Sequence, residues 1–355
     1  MLTKKQLKEI KEHLEKAQNP LFFFDNDPDG LCSFLLLQRY VGKGKGVPIK
    51  SFPELTADYF RKVEELKADY IFILDKPVVS KEFWEKVEQT NLPAVWIDHH
   101  EIDKKEIPKF VHYYNPLFNK SKNNEPVTCL CHQINDRKED LWIALVGCIS
   151  DKFVPKFYSD FGKVYPDLVS DLKIKDFGTS SSAFDVFYKT QIGKISKLFS
   201  FALKDRTTNV ISMIKFLMKV ENPYEVLEES SKNYAMHHRF KEIDSKYQKL
   251  LKKAESLEKK SGNLLFFPYS GEMSVSSDLA NELSYKFPKK IIVVVYLIGV
   301  KANISIRGKN IREKVLKIIG MLEDATGGGH EDAVGARIKL EDVEVFEKNL
   351  KEIFN

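Results

Sequence analysis

Three carboxylates, Asp25, Asp27 and Asp29, fall within the stretch LFFFDNDPDG (21–30), directly after a run of apolar residues. Along an extended backbone alternate residues point the same way, so all three acids would project from the end of one buried strand. The stretch contains no basic residue, and a hard divalent cation such as Mg²⁺ or Mn²⁺ is the economical partner for such a cluster. Taken alone, the pattern reads equally well as an acidic loop in solvent. Gly30 would supply a tight turn into LCSFLLL, a helix packed behind the strand.

The surrounding elements decide between these readings. TKKQLKEIKEHLEKA has capping-box spacing at Thr3 and Gln6, with Leu7, Ile10 and Leu14 on one helical face. GKGKGVPIKSF reads as a turn and short strand, ELTADYFRKVEELKA as an amphipathic helix, and SKEFWEKVEQT as a helix capped by Ser80. YIFILD and AVWIDHH are buried strands, and FVHYYNP a further one broken by Pro116. Strands alternating with helices predict an α/β fold: a parallel sheet with helices on both faces. Ligands of such sheets gather at the carboxyl ends of the strands. Asp75 ends one strand, Asp98, His99 and His100 end another, and Asp151 closes the apolar helix KEDLWIALVGCISD. Singly, Asp75 reads as a helix cap and His99 as a satisfied core histidine. Four segments delivering such groups to one edge point to a metal centre.

DNDPDG, the ILD strand end, IDHH and GCISD resemble the four successive motifs of the DHH phosphoesterase superfamily. That group includes RecJ-type exonucleases, nanoRNase-type oligoribonucleases, cyclic-dinucleotide phosphodiesterases and family II pyrophosphatases. The resemblance implies that Asp27 and Asp29 are paired ligands, one for each of two metal ions, and that Asp75 bridges them. It implies that His99 and Asp151 hold the second ion, and that Asp98 and His100 orient ligands or the scissile phosphate. Phe23 stands where oligoribonucleases and pyrophosphatases usually carry a metal-binding histidine, and Asp25 supplies the acid found in RecJ-like members. Two divalent ions roughly 4 Å apart would polarise the phosphoryl oxygens and stabilise the leaving oxygen. The mixed carboxylate–imidazole set favours Mn²⁺, with Mg²⁺ possible and zinc compatible on ligand type.

The C-terminal segment GGGHEDAVGARI resembles the signature of the DHH-associated substrate-binding domain. Its sequence is expected to form a smaller mixed α/β domain, with a strand pair turning near Gly299, a glycine turn, and a final amphipathic helix from Leu340. Gly327, Gly328 and Gly329 would let backbone N–H groups approach a phosphate, with His330 as a donor. No Lys-Ser/Thr follows, so the run is no P-loop, and by itself it reads as a flexible interhelical loop. Ser305 and Arg307 lie at a strand end, and arginine suits bidentate phosphate contacts. The resemblance implies that these residues face a cleft and hold the substrate.

The expected division is residues 1–240 as catalytic domain with a helical subdomain, 241–261 as a connecting helix and 262–355 as the substrate-binding domain. KFVPKFYSDFGKVYPDL is aromatic and basic; it reads as a packed helical region or a single-strand platform. His237 and His238 read as a surface feature.

The chain has 355 residues, 43% hydrophobic and 30% charged, with a net charge of +5, values that describe an ordinary globular protein able to meet a polyanion. Four cysteines without a CxxC pair argue against structural zinc, and no apolar run is long enough for a membrane span. A cytoplasmic location is expected. So is a RecJ-like enzyme of compact archaeal type, without room for a further oligonucleotide-binding domain, that trims single-stranded DNA or RNA to mononucleotides. Replication or repair proteins are its possible partners. The alternatives are a short-oligonucleotide or cyclic-dinucleotide phosphodiesterase, and a non-catalytic replication or repair scaffold.

Overall fold

The runs PLFFFD, YIFIL and AVWI are rich in aromatic and β-branched residues, which suit a pleated surface buried on both sides. In the computed structural model, which describes residues 1–355 except 52, 121, 171, 173, 175, 260 and 355, they form the centre of a five-stranded parallel sheet. The chain divides into two compact units, Met1–Phe240 and Lys241–Asn355.

The first unit begins with α1 (Lys4–Lys16), β1 (Pro20–Asp25), α2 (Pro28–Val41), β2 (Lys45–Ile49), β3 (Glu54–Leu55) and α3 (Arg61–Glu65). It continues through β4 (Tyr70–Leu74), β5 (Val78–Val79), α4 (Lys81–Thr90), β6 (Ala94–Ile97) and β7 (His112–Tyr114). The sheet order is β2-β1-β4-β6-β7, with every pairing parallel. The strand period of two divides the side chains between two cores. Phe22, Phe24, Phe72, Leu74, Val95 and Ile97 enter one of them, together with α2. Leu21, Phe23, Ile71, Ile73 and Trp96 enter the other, with Phe83 and Val87 of α4. Phe23 is a fully buried core residue meeting Phe83 edge-on.

The helical remainder of this unit is α5 (Val127–Asn135), α6 (Leu141–Ser150), α7 (Tyr158–Val164), α8 (Pro166–Val169), α9 (Ser180–Lys189), α10 (Gln191–Ala202), α11 (Thr207–Leu217) and α12 (Pro223–Leu227). Tyr158, Phe161 and Leu168 join the main core, so the aromatic-basic segment packs as helix. The capping box at Thr3 and Gln6 and the Ser80 cap form as the sequence predicts.

Two expectations need correction here. ELTADYFRKVEELKA opens with strand β3, paired with β5, and a 3₁₀ turn, and only Arg61–Glu65 is α-helical. His237 is buried and its Nε2 meets the Val226 carbonyl at 2.9 Å, so the reading of both histidines as surface groups holds for His238 alone.

The long helix α13 runs from Tyr234 to Glu258, beginning before the expected connecting segment, whose Lys260 lies outside the described residues. The second unit then contains β8 (Leu264–Ser270), α14 (Ser276–Lys286), β9 (Ile291–Ile298), β10 (Lys301–Arg307), α15 (Arg312–Ile319), β11 (Thr326–His330), β12 (Ala333–Lys339) and α16 (Val343–Phe354). Its sheet order is β11-β12-β10-β9-β8, antiparallel except between β8 and β9. Ile304, Ile306, Val334 and Ile338 pack with Val315 of α15 and Phe346 of α16. The glycine run is therefore an edge strand, not a turn, and β12 intervenes between it and the final helix. Among the described residues no helix is long and apolar enough to cross a membrane.

Candidate metal centre

Strand β1 stops at Asp25 because the next residues start a helix. Asp27 is the N-cap of α2, accepting a hydrogen bond from the Gly30 N–H at 2.9 Å, and Pro28 occupies the first helical position. Asp29 therefore sits in the first turn of α2, and the three acids do not alternate along one strand as expected. Gly30 is inside the helix. A Cβ there would lie 2.4 Å from the Asp25 carbonyl oxygen, so glycine serves close approach of helix to strand.

Asp29 is buried, and both its oxygens are engaged: one accepts from the Val127 N–H at 2.9 Å, the other from the Thr128 N–H at 2.8 Å. These are free N–H groups at the start of α5, a position that favours a negative charge. Asp75 follows β4 in a left-handed conformation (φ 57°), with its N–H bonded to the Ile97 carbonyl at 3.0 Å. Its side chain is buried.

His99 Nε2 lies 3.4 Å from an Asp75 oxygen and 3.7 Å from an Asp151 oxygen, and its Nδ1 is buried without a partner. Asp151 caps the end of α6 and is exposed. His100 Nδ1 donates to the Asp98 carboxylate at 2.8 Å, and Asp98 also accepts from the Tyr113 hydroxyl at 3.4 Å. Asn115 fixes this corner by donating to the His100 carbonyl at 2.9 Å and to the Tyr113 oxygen at 2.7 Å.

Two groups of ligand atoms, each within 4.8 Å of one another, result: Asp75, His99 and His100, and Asp29, His99 and Asp151. Asp27 borders them and is felt through its charge. Asp25 is brought elsewhere. The buried Lys76 ammonium, one residue beyond Asp75, donates to Asp25 at 2.7 Å and to the Ser51 carbonyl at 2.9 Å. The cluster thus does have a basic neighbour, supplied from 51 residues downstream.

The electrostatics reflect crowding. Burial pushes the Asp29 carboxyl up to about 6, helped by Asp151 and opposed by His99 and the Thr128 hydrogen bonds. Asp27 reaches solvent, yet surrounding protein and then Asp25 and Asp29 push it up to about 8. Asp75 is raised well above the carboxylate range by burial, then by Asp29 and Asp27. Burial pulls His100 down, but the Asp98 bond and charge outweigh it and hold the imidazole at about 9. Acids that resist ionising together are relieved by a cation.

In the second unit Ser305 and Arg307 alternate onto one side of β10. Arg307 Nε donates to Asn281 at 2.6 Å and Nη2 to the Ser277 hydroxyl at 3.0 Å, while Ser305 donates to Ser276 at 3.2 Å. Register sets Ser305 opposite Gly335 and Gly335 opposite Gly328; Arg307 faces Ala333, which faces His330. A Cβ on Gly328 or Gly335 would meet nothing within 4 Å, so the surface over these strands is open. Gly329, at φ 143°, would set a Cβ 2.2 Å from the Ala333 carbonyl. Sequence reasoning missed Lys76, Tyr113, Asn115 and the α14 residues Ser276, Ser277 and Asn281. Only Lys76, adjacent to a site acid, carried any signal.

Residues 262–355 match the family described as the DHHA1 domain. In solved structures, RecJ from Thermus thermophilus in complex with Mn²⁺ superposes with a TM-score of 0.68 at 15% identity, covering 98% of this chain and 54% of that one. This chain thus spans about half the length of that protein. The chain has the RecJ fold, with a DHHA1 domain over residues 262–355. An exonuclease RecJ bound to manganese matches this DHH-type chain at TM-score 0.62 and 12% identity, over 99% of it and 94% of the other. The DHH domain of a member of a ribosomal-protein family matches at TM-score 0.65 and 13% identity, over 100% and 93%. No protein of curated function matches the DHH-type chain in sequence.

Proposed function

We propose that this chain is a divalent-metal phosphodiesterase acting as a RecJ-like exonuclease on single-stranded DNA or RNA, releasing mononucleotides. The observation that carries the reading is the pair of converging ligand groups that share His99, one with Asp75 and His100 and the other with Asp29 and Asp151, each within 4.8 Å. The residues fit the group. Their donors are hard carboxylate oxygens and imidazole nitrogen, the charge is under-compensated, and His99 Nε2 is directed at the oxygens of both Asp75 and Asp151. Asp27, Asp29, Asp75, His99 and Asp151 would hold two ions, Mn²⁺ by preference and Mg²⁺ as substitute. When bound, such ions supply Lewis acidity toward a phosphodiester and an acidified water.

The chain's own groups do the rest. His100, oriented by its Nδ1 bond to Asp98, can hydrogen-bond a phosphate oxygen through Nε2 and pass a proton to the departing oxygen. Asp29 ties the centre to α5 and limits its movement. Arg307, Ser305, His330 and the Gly327–Gly329 strand form the anion-binding surface of the C-terminal unit. Arg307 is pre-set by Asn281 and Ser277, so little side-chain freedom is lost on binding. The RecJ structures that hold Mn²⁺, one of them described as an exonuclease, support the choice of ion and the nuclease reading.

Digestion of end-labelled single-stranded DNA and RNA, each in a short and a long form, with Mn²⁺ tests the proposal. Mononucleotide release from long strands, suppressed steeply by salt as several phosphates are neutralised together, is expected. Absence of phosphodiester hydrolysis would sink the enzyme reading; cleavage confined to the shortest RNAs would convert it to an oligonucleotide phosphodiesterase.

A further inference from the structure

Asp25 stands in the acidic motif, yet its surroundings differ from those of its neighbours. Lys76 is completely buried, and its ammonium donates to Asp25 at 2.7 Å and to the Ser51 carbonyl at 2.9 Å. The left-handed turn at Asp75 directs the chain so that residue 76 meets the end of β1 instead of continuing the strand. Trp96, from β6, fixes that backbone by donating its indole N–H to the Lys76 carbonyl at 2.9 Å. Ser51 is held in turn by its hydroxyl bonding the Glu54 carbonyl. The ion pair is therefore framed from three sides.

Such a frame has consequences for metal binding. Lys76 holds one oxygen of Asp25, so a cation on that carboxylate would share it with a buried ammonium and stand beside a second positive charge. Two positive charges on one carboxylate repel each other, and the fully buried Lys76 side chain cannot withdraw into water to relieve the repulsion. Neither group of converging ligand atoms includes Asp25 or Asp27, and what sets Asp25 apart is its bond to the buried ammonium. Lys76 has no solvent exposure, so it cannot itself touch a substrate phosphate.

We propose that Lys76 is a positioning residue that withholds Asp25 from the metal ions. The motif thus contributes Asp27 and Asp29 alone to ligation, and the Lys76–Asp25 pair acts as a fixed wall of the site. The inference rests on the metal-centre reading above and narrows it.

Mn²⁺ titration of the full-length protein, followed by calorimetry or by the electron spin resonance of free Mn²⁺, tests it without recourse to activity. Asp25→Asn should change Mn²⁺ affinity by no more than about threefold, whereas Asp75→Asn should weaken it by about tenfold or more. Lys76→Met releases Asp25 and should tighten Mn²⁺ binding. The double variant Asp25→Asn with Lys76→Met, a neutral pair of similar volume, should return to the wild-type affinity and keeps the test alive if the single Lys76 variant unfolds. Loss of Mn²⁺ affinity in Asp25→Asn equal to that in Asp75→Asn would overturn the inference while leaving the metal centre standing. Wild-type protein that binds no Mn²⁺ would overturn both.

Discussion

Asp98, wholly buried, accepts the Nδ1–H of His100 at 2.8 Å, and this one bond fixes both the tilt and the charge of the imidazole. A carboxylate in that position stabilises the protonated ring and leaves its other nitrogen for chemistry. Asp98→Asn keeps the shape and removes the charge. The expected outcome is a loss of about 10–100-fold in the rate of strand hydrolysis. Mn²⁺ affinity should move far less. Steady-state digestion of an end-labelled oligonucleotide, run beside a Mn²⁺ titration, separates the two effects.

The crowded acids make stability depend on pH. Folding raises Asp29 to about 6 and Asp27 to about 8, from an ordinary value of 3.8. Between those limits the folded chain holds more protons than the unfolded one. The contribution of these groups is therefore complete below the unfolded value and is lost as pH rises through the folded values. Metal-free protein should melt at lower temperature near about pH 8 than near about pH 5.5 on this account. Added Mn²⁺ displaces the same protons, so its stabilisation, about 2.7 kcal/mol at a hundredfold excess over Kd, should be greater at the alkaline end. Thermal melts at both pH values, with and without Mn²⁺, check the sign.

Gly30→Ala should be disproportionately harmful for so small a change. The added methyl would lie 2.4 Å from the Asp25 carbonyl oxygen and 2.8 Å from the Asp25 nitrogen, both rigid backbone. Over-packing of this kind costs about 1–3 kcal/mol. The urea midpoint should fall, and Mn²⁺ affinity with it, because α2 carries Asp27 and Asp29.

Arg307→Ala should raise KM for a single-stranded substrate by about tenfold, the value of one charge-assisted contact, and leave kcat nearly unchanged. Gly328→Ala is the companion variant. Its Cβ would meet no neighbour within 4 Å, so stability should hold while backbone access to phosphate narrows. A drop in kcat with constant KM in either variant would remove these residues from substrate binding.

Much of the arrangement is legible in the sequence because it follows from local rules. Apolar runs ending in acids mark β1, β4 and β6 with their termini at Asp25, Leu74 and Ile97, and hence the edge on which Asp75, His99 and His100 meet. The rest depends on partners distant in sequence. No local pattern pairs Lys76 with Asp25, or sets Asp29 against the N–H groups of Val127 and Thr128. The strand β11 is hidden for a different reason: three consecutive glycines carry no β propensity, and only pairing with β12 makes them extended. The start of α2 is obscured because Asp27 and Pro28 suit a metal-site loop as well as they suit a helix cap and first turn.

The left-handed backbone at Asp75 places a second constraint on a residue already chosen for its carboxylate. Aspartate and asparagine tolerate that conformation; branched aliphatic residues do not, at a penalty of roughly 1–2 kcal/mol. An asparagine there silences the acid and preserves the bend, whereas a valine or isoleucine would also misdirect Lys76 and loosen its hold on the end of β1. Evolutionary drift away from catalysis at this position would thus have a narrow exit, chiefly through asparagine or glycine.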